Sequence, residues 1–351
     1  MSAPHSFNEH IEIEEDPMSA KPKVAVIGTG GTITAMSSLG PLDLIEYGNA
    51  GTMLEADQLV ALYPEVNEVA QVISIRFKAV PSPAIYFPEW KALVLAAERA
   101  VADHPDLAGI VILHGTATLE ETAYALSLTA KVSVPIVVVG AQRPSSALSS
   151  DAGLNLVNAI RTAASHEARG FGALVLLNDE IQAAREVTKT STGRLQTFRS
   201  PDFGALGHAD GDRISFYRRP LRRVGPDADF DIRTLDALPR VDIAYSYTGD
   251  DGTATRAFVA AGAKGIIAAA FAPGMLVPTE FAALKEAAAA GVVVVLATRA
   301  GSGRAFTSKP ARDAGFISAD NLTPQKARIL LALALTRTSD PARLREIFAT
   351  Y

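Results

Sequence analysis

The amino-acid sequence predicts an α/β protein of two domains, a larger N-terminal one with a mostly parallel sheet flanked by helices and a smaller C-terminal parallel α/β domain. Short β-branched runs alternate with helical patterns. These runs are apolar along their whole length, as in strands that are covered on both faces. A basic and then acidic segment at residues 221–238 marks the boundary between the domains.

Eight apolar runs are predicted strands, five before the boundary segment and three after it. In chain order they cover residues 23–28, 71–77, 109–115, 135–141, 173–178, 241–247, 265–271 and 291–297.

Helical patterns lie between several of these runs. The pattern from Phe87 repeats apolar residues at intervals of three and four, and Ser150 and Asp151 are N-cap candidates for the next helix. A further helix has Thr279 near its start and Gly291 just past its end, and the last one follows Thr323. This alternation supports the α/β class.

The change in composition also suggests domain bounds. We expect a disordered extension at residues 1–21, an N-terminal domain at 22–220, a linker at 221–238 and a C-terminal domain at 239–351. The cluster RRPLRR, residues 218–223, is interpreted as part of a solvated linker. Met18 is a candidate alternative start.

Composition excludes several classes of function. The 33 basic and 38 acidic residues give a net charge of −5 without a long run of like charge, so we expect no nucleic-acid partner. The chain has no cysteine and its six histidines are far apart in sequence, so we expect no disulfide and no metal site. No apolar stretch reaches 18 residues and the N-terminus lacks a signal-peptide pattern, so we expect no membrane partner and a cytoplasmic location.

Candidate chemistry lies where parallel strands end, because loops and helix N-termini converge there. The first strand leads into GTGGTIT, residues 28–34, where Ile33 occupies the third glycine position of a dinucleotide fingerprint. The glycines indicate a sharp turn that offers N–H groups to an anion or oxyanion, with Thr32 beside them. Spacing alone leaves open whether Thr32 acts in catalysis or only packs.

The third strand leads into HGTATLEETA, residues 114–123. Thr118 lies three residues before Glu121, which fits a capping box and a structural role. Thr116 instead lies in the turn before the helix, where its hydroxyl can attack a carbonyl whose developing charge the backbone N–H groups stabilise.

A threonine nucleophile needs a base, because its hydroxyl holds its proton tightly at neutral pH. His114 precedes the turn, and we expect a structural hydrogen bond from it. Lys189 lies among hydroxyl residues, where burial would make it a useful base. Tyr47 is the candidate partner of Thr32 if its loop folds over the site.

Five blocks of sequence carry a family resemblance: VIGTGGTIT, ILHGTATLEETAYAL, VVVGAQRPSSALSSDAGLNLVNAI, NDEIQAAREVTKTSTGRLQTF and NLTPQKARILLALALTRTSDPARLREIF. In this order they closely resemble the bacterial-type L-asparaginase/glutaminase family, over residues 22–351. The resemblance implies hydrolysis of a side-chain amide to a carboxylate and ammonia by a threonine nucleophile, without a cofactor. It also implies a homodimer or homotetramer with sites at the subunit contacts.

The resemblance assigns roles to single residues. The family's nucleophile falls on Thr32, and the serine that receives the substrate's α-carboxylate falls on Ser82. The positions implied for catalysis are Thr32, Thr116, Lys189 and Tyr47. The positions predicted for substrate binding are Ser82, Gly31, Gly115 and Ala117.

Three departures from the family concern the substrate's α-ammonium. Ala117 stands in place of the aspartate of H-G-T-D-T, which holds the ammonium and completes the threonine-lysine triad, and Pro83 stands in place of a glutamine. The family also borrows a glutamate from a neighbouring subunit, whereas the matching segment has no acidic residue before Asp313. Because a buried ammonium without an acceptor is costly, one hypothesis is a substrate without a free α-ammonium. The other is that Glu120, Glu46 or a neighbour's residue replaces the carboxylate.

Several functions therefore remain under comparison. The leading one is an asparaginase-like amidohydrolase acting on a linear amide. The alternatives are hydrolysis of an amide, imide or lactam that lacks a free α-ammonium, and a non-catalytic amide-binding homologue. A nucleotide-dependent oxidoreductase is disfavoured by the missing third glycine. The ammonia-supplying subunit of a tRNA-dependent amidotransferase is disfavoured because only about 21 residues precede the first strand.

Overall fold

The computed structural model describes residues 20–351, which form two main β-sheets with helices on their faces. Met18 and residues 1–19 of the predicted extension lie outside the described residues. None of the helices in the described part is both long and apolar enough to cross a membrane.

Strands are numbered in chain order. The N-terminal part contains β1 (Lys23–Gly28), β2 (Ala35–Ser37), β3 (Gly51–Met53), β4 (Gln71–Ile75), β5 (Leu107–Leu113), β6 (Ile136–Val139), β7 (Ala173–Leu177), β8 (Glu180–Ala183), β9 (Thr188–Lys189), β10 (Phe198–Arg199), β11 (Gly207–Ala209) and β12 (Ile214–Phe216). The C-terminal part contains β13 (Val241–Tyr245), β14 (Gly265–Ala270), β15 (Val293–Thr298) and β16 (Ile317–Ser318).

Helices are numbered in the same way. The N-terminal part contains α1 (Ala56–Leu62), α2 (Val66–Val69), α3 (Phe87–Asp103), α4 (Leu119–Thr129) and α5 (Ala152–Ala164). The C-terminal part contains α6 (Thr253–Ala260), α7 (Pro278–Ala289), α8 (Lys309–Asp313), α9 (Pro324–Ala334) and α10 (Pro341–Thr350).

The sheet topology confirms the predicted fold class. The larger sheet has the order β12-β11-β8-β7-β6-β5-β1-β4, in which β4, β1, β5, β6 and β7 are parallel and the remaining pairings are antiparallel. The smaller sheet, β13-β14-β15-β16, is parallel throughout. All eight predicted runs form strands, with ends that differ from the prediction by at most two residues.

The sequence analysis missed the short strands, which have two to four residues each. Runs of that length are too short to show a period of two. Two of these missed pairings, β2 with β3 and β9 with β10, form small antiparallel ribbons beside the larger sheet.

One apolar core extends across both domains. It contains Trp90 of α3 and Leu126 of α4 together with Ile267 of β14 and Leu330 of α9. Separate clusters fill the other face of each sheet. Since the shared core joins α4 to α9, side chains of the smaller domain lie next to the segment that follows the larger sheet.

The interpretation of residues 218–238 as a solvated linker is wrong for several of its residues. Phe230 and Ile232 are buried in the shared core. Arg218 donates to Glu186 at 2.6 Å, and Arg222 donates to Asp320 at 2.7 Å. The segment therefore packs against both domains, because its apolar and guanidinium groups find partners that are distant in sequence.

The N-cap position predicted at Asp151 is confirmed, but the capping hydrogen bond expected there is not formed. Asp151 is the N-cap residue of α5, but its side chain makes no cap hydrogen bond. Its carboxylate instead accepts from the backbone N–H groups of Gln142 and Arg143, each at 2.9 Å. This carboxylate orders the loop after β6 and leaves the helix terminus to other partners. Gly291 follows the end of α7 with φ of +86°, as a C′ glycine does.

Candidate active site

The two predicted threonines lie at the ends of neighbouring parallel strands. Strand β1 pairs with β5 so that Gly28 lies beside Leu113 at their carboxyl ends. The chain continues from β1 through a glycine turn into a short 3-10 turn at Thr32–Thr34, and from β5 through a second turn into α4. Thr32 and Thr116 therefore stand at the same edge of the larger sheet, and both are buried.

Close backbone packing between the two turns requires glycine at both positions. Gly31 has φ of +95°, and a Cβ atom placed there would lie 2.3 Å from the Cα atom of Gly115. A Cβ atom on Gly115 would lie 2.6 Å from Ser82 Oγ. The two glycines thus bring Ser82, which lies in the loop after β4, to the same edge as the threonines.

Tyr47 contacts the first threonine directly. Its hydroxyl is 2.8 Å from Thr32 Oγ1. Tyr47 lies in a 3-10 turn in the loop between β2 and β3, and the pairing of these strands ties both ends of the loop. Within the loop, Asp43 accepts from Ser37 Oγ at 2.5 Å and from the N–H groups of Ile45 and Glu46. These bonds lower the pKa of Asp43, with the Ser37 hydroxyl as the largest cause.

Lys189 contacts the second threonine directly. Its Nζ donates to Thr116 Oγ1 at 2.8 Å, from the ribbon of β9 and β10. Burial lowers the pKa of Lys189, because a half-buried site disfavours the ammonium form, and the charge of Glu120 opposes this effect. The lysine is thereby shifted toward the neutral form that a base requires.

His114 makes a structural contact, in line with the expectation. It is fully buried, and its Nδ1 lies 2.8 Å from the carbonyl oxygen of Gly115. Burial lowers the pKa of His114 to about 4, so the ring is neutral at pH 7. A neutral, buried ring bound to the turn orders the backbone beside Thr116.

The capping box predicted at Thr118 and Glu121 is not formed. Thr118 is the N-cap residue of α4, but its side chain makes no cap hydrogen bond. Its hydroxyl donates to the carbonyl oxygen of Ser82 at 2.6 Å. The bond across the sheet edge replaces the local one, and it holds the Ser82 loop against the start of α4.

The positions expected to hold an α-ammonium carry no acceptor side chain of their own. Ala117 is exposed between the two threonines of the turn, and Pro83 follows Ser82 in a 3-10 turn. Of the two alternative acceptors, Glu120 is buried and bound to the segment that carries Lys189, whereas Glu46 is exposed and accepts from Asn49. The Glu120 carboxylate therefore already accepts a hydrogen bond from the protein backbone.

Lys326 is a buried residue that the sequence analysis did not single out. It lies on α9, is 0% exposed, and its Nζ is 3.7 Å from Glu120 Oε2. A lysine within an apolar helical pattern, between Pro324 and Ile329, is the signal that would have identified it. Among residues 20–351, no three His, Cys, Asp or Glu side chains are grouped so as to hold a metal ion.

These features define a class of protein: a two-domain α/β fold with paired hydroxyl groups at the carboxyl edge of its larger, mostly parallel sheet. Two family models match the chain, "Asparaginase, N-terminal" over residues 23–222 and "Glutaminase/Asparaginase C-terminal domain" over residues 240–348. The chain belongs to the asparaginase family of amidohydrolases, which confirms the resemblance seen in its motifs.

Individual relatives agree with this assignment. The chain is 40% identical to L-asparaginase 2 of Bacillus subtilis, over 94% of this chain and 87% of that protein. It is 37% identical to L-asparaginase 2 of Escherichia coli, over 95% of this chain and 94% of that protein. A crystal structure of a probable cytoplasmic L-asparaginase from Campylobacter jejuni has a TM-score of 0.89 and 38% identity, and the match covers 94% of this chain and 100% of that one.

Proposed function

We propose that this protein hydrolyses a linear carboxamide of the L-asparagine type to a carboxylate and ammonia. The observation that carries the proposal is the pair of hydroxyl contacts at one sheet edge, Thr32 with Tyr47 and Thr116 with Lys189, each 2.8 Å long. A hydroxyl group with a proton acceptor at hydrogen-bond distance is the arrangement that nucleophilic attack on a carbonyl requires.

In the proposed mechanism Thr32 Oγ1 forms a bond to the amide carbon as its proton passes to the Tyr47 hydroxyl, which relays a proton to the amide nitrogen. The N–H groups of the two glycine turns stabilise the negative charge on the carbonyl oxygen. The C–N bond then breaks, and the nitrogen that has taken up this proton leaves as ammonia. Water attacks the resulting ester, and neutral Lys189, acting through Thr116, accepts a proton from that water. Lys189 returns the proton to Thr32 Oγ1 as the ester C–O bond breaks, and the released acid ionises to the carboxylate. Ser82, with Gly31, Gly115 and Ala117, forms the wall that holds the acyl part of the substrate.

An ammonia-release assay over a panel of amides tests the proposal. The panel contains L- and D-asparagine, glutamine, N-acetylasparagine and succinamate. Small imides and lactams are added with chromatography of the ring-opened product as the readout, because their hydrolysis releases no ammonia. We expect turnover of at least one linear amide with kcat/KM of about 10⁴ M⁻¹s⁻¹ or more. Binding of an amide without ammonia release would instead support a non-catalytic amide-binding protein.

A second candidate is an amide without a free α-ammonium, and Ala117 is the observation that favours it. An ammonium that enters the site without a carboxylate partner loses its hydration and gains no charged hydrogen bond. Under this hypothesis succinamate or N-acetylasparagine has a higher kcat/KM than L-asparagine.

Replacing Ala117 by Asp tests this second candidate. A charged hydrogen bond contributes about 1.5–3 kcal/mol, so Ala117→Asp should raise kcat/KM for L-asparagine relative to succinamate by about tenfold or more. Ala117→Asn is the matched control, since it adds a similar volume without charge. Equal changes for both substrates would contradict the hypothesis.

We also propose a homodimer or homotetramer in the cytoplasm. The loop that carries Tyr47 exposes Leu42 and Ile45 by more than 80% each, and such apolar side chains are suited to an intersubunit contact. Sedimentation equilibrium measures the assembly, and fractionation of cells that express a tagged chain measures the compartment. A monomer at micromolar concentration would refute the proposed assembly. A tagged chain outside the cytoplasm would refute the proposed compartment.

A further inference from the structure

The segment from Arg185 to Lys189 is held from the smaller domain by a buried lysine. Lys326 of α9 is 0% exposed, and its Nζ donates to the carbonyl oxygen of Arg185 at 3.2 Å and to that of Val187. These carbonyls lie four and two residues before Lys189. The lysine of the smaller domain therefore restrains the backbone that delivers Lys189 to Thr116.

The same segment is held from the larger domain by a buried carboxylate. Glu120 of α4 is 6% exposed, and its Oε1 lies 3.4 Å from the backbone nitrogen of Lys189 and 3.2 Å from Thr188 Oγ1, both of which donate to it. Gln325 donates to the same oxygen at 3.4 Å. The other oxygen, Oε2, is 3.7 Å from Lys326 Nζ. One buried ion pair, made by both domains, thus contacts the Lys189 backbone and three of the four residues before it.

The Glu120 carboxylate of this pair acts on the charge of Lys189 at short range. Burial lowers the pKa of Lys326 to about 8 and lowers that of Lys189, and in both cases the charge of Glu120 is the largest opposing effect. An open cavity of about 500 Å³ beside Lys189 is lined by Tyr245 and Arg299 of the smaller domain. Glu120 is the charged group that acts on Lys189, and Tyr245 and Arg299 share its cavity. Glu121 and Lys326 lie near Glu120, Arg328 lies near Glu121, and Arg185 and Glu186 belong to the segment before Lys189.

We propose that Glu120 and Lys326 are positioning residues for the reaction: together they fix the segment that presents Lys189 to Thr116, and the Glu120 carboxylate sets how readily Lys189 carries a proton. This inference rests on the proposed function, in which Lys189 exchanges a proton through Thr116. With alanine at position 117, Glu120 is the carboxylate whose charge acts on Lys189. A buried pair that only joined the two domains would affect stability and leave the protonation of Lys189 unchanged.

Glu120→Gln separates these two roles, because glutamine keeps the shape and one oxygen acceptor but removes the charge. Loss of the charge lowers the pKa of Lys189, so the acidic limb of the kcat-pH profile should move to lower pH by about 0.5–1 unit, with KM changed less than about twofold.

Lys326→Met removes the donor to both carbonyls, and kcat should fall about tenfold or more at a similar KM. The double variant Glu120→Gln/Lys326→Met leaves no unpaired buried charge. Its pH profile is measured instead if a single variant fails to fold.

Glu280→Gln is the matched control. Glu280 is 0% exposed, accepts from Ser246 Oγ at 2.7 Å, and lies in the smaller domain. Its replacement should leave the pH profile unchanged. If Glu120→Gln or the double variant is active and its acidic limb does not move, this inference is overturned and the proposed function is not. A wild-type protein that releases no ammonia from any amide of the panel would overturn the proposed function, and this inference with it.

Discussion

At the scale of residues, the two threonine hydroxyls differ in the partner that each one has. Thr32 contacts a phenol and Thr116 contacts an amine whose pKa is lowered by burial. Both pairings were predicted from the sequence, and the catalytic roles of all four residues remain predictions. The partners are chemically unlike, which suggests that the two hydroxyls act at different steps.

Removing either hydroxyl should abolish most of the turnover. We expect Thr32→Ala and Thr116→Ala each to lower kcat by about 10³-fold or more while circular dichroism stays unchanged. Thr32→Ser and Thr116→Ser are the controls, because they keep the hydroxyl and lose only a methyl group. Full activity in both alanine variants would refute the threonine mechanism.

His114 predicts how stability depends on pH. Its pKa is about 4 in the folded state against about 6.5 for a histidine in an unfolded chain, so the unfolded chain binds the proton more tightly. The free energy of unfolding should therefore fall as pH drops from about 6.5 to about 4, with a loss of about 3 kcal/mol from this residue. Urea unfolding of the wild type and His114→Asn isolates the effect, since their other groups titrate alike. Equal losses in both proteins would contradict it.

At the scale of elements, the side chains at two N-cap positions bind groups outside the helices that they precede. Thr118 and Asp151 occupy N-cap positions that the sequence predicted, yet neither side chain caps its helix. Thr118 donates to the carbonyl oxygen of Ser82, and Asp151 accepts from the N–H groups of Gln142 and Arg143 in its own loop. Local spacing locates the end of a helix, because the pattern of apolar residues stops there. It does not identify the partner of the cap side chain, because that partner depends on how the preceding loop folds or on which other loop packs beside it.

The glycine contact between the two turns can be tested by adding one methyl group. Gly115→Ala places a Cβ atom 2.6 Å from Ser82 Oγ, so we expect a loss of about 1–3 kcal/mol in the free energy of unfolding and a lower kcat. Gly211→Ala is the control, because a Cβ atom there meets no atom within 4 Å. If both variants are equally stable and equally active, the turns do not pack as described.

At the scale of the whole molecule, the boundary segment is part of the core. Phe230 is 1% exposed, and its ring centroid is 5.0 Å from that of Tyr351. The shared core also contains Trp90 of the larger domain, which is the single tryptophan of the chain. The two domains therefore have a common apolar interior, and we expect them to unfold together.

Phe230→Ala tests this coupling. The cavity should lower the free energy of unfolding by about 3–5 kcal/mol, and the transitions followed by Trp90 fluorescence and by circular dichroism should stay coincident. Leu221→Ala is the control, because Leu221 is fully exposed and its loss should change stability by less than about 0.5 kcal/mol. Separate transitions for the two probes would show that the domains unfold independently.

Local periodicity and contiguous motifs were sufficient to predict the fold class, the eight main strands and the family. The family resemblance also paired Thr116 with Lys189, which are 73 residues apart in sequence. The contacts of Glu120 became visible in the tertiary structure, because Glu120 and Gln325 are 205 residues apart. Lys326 was missed for the same reason: a lysine in an apolar helix shows its partner only when the helix packs against another domain. Contacts at such separations depend on how the strands and helices assemble, and spacing along the chain does not contain that information.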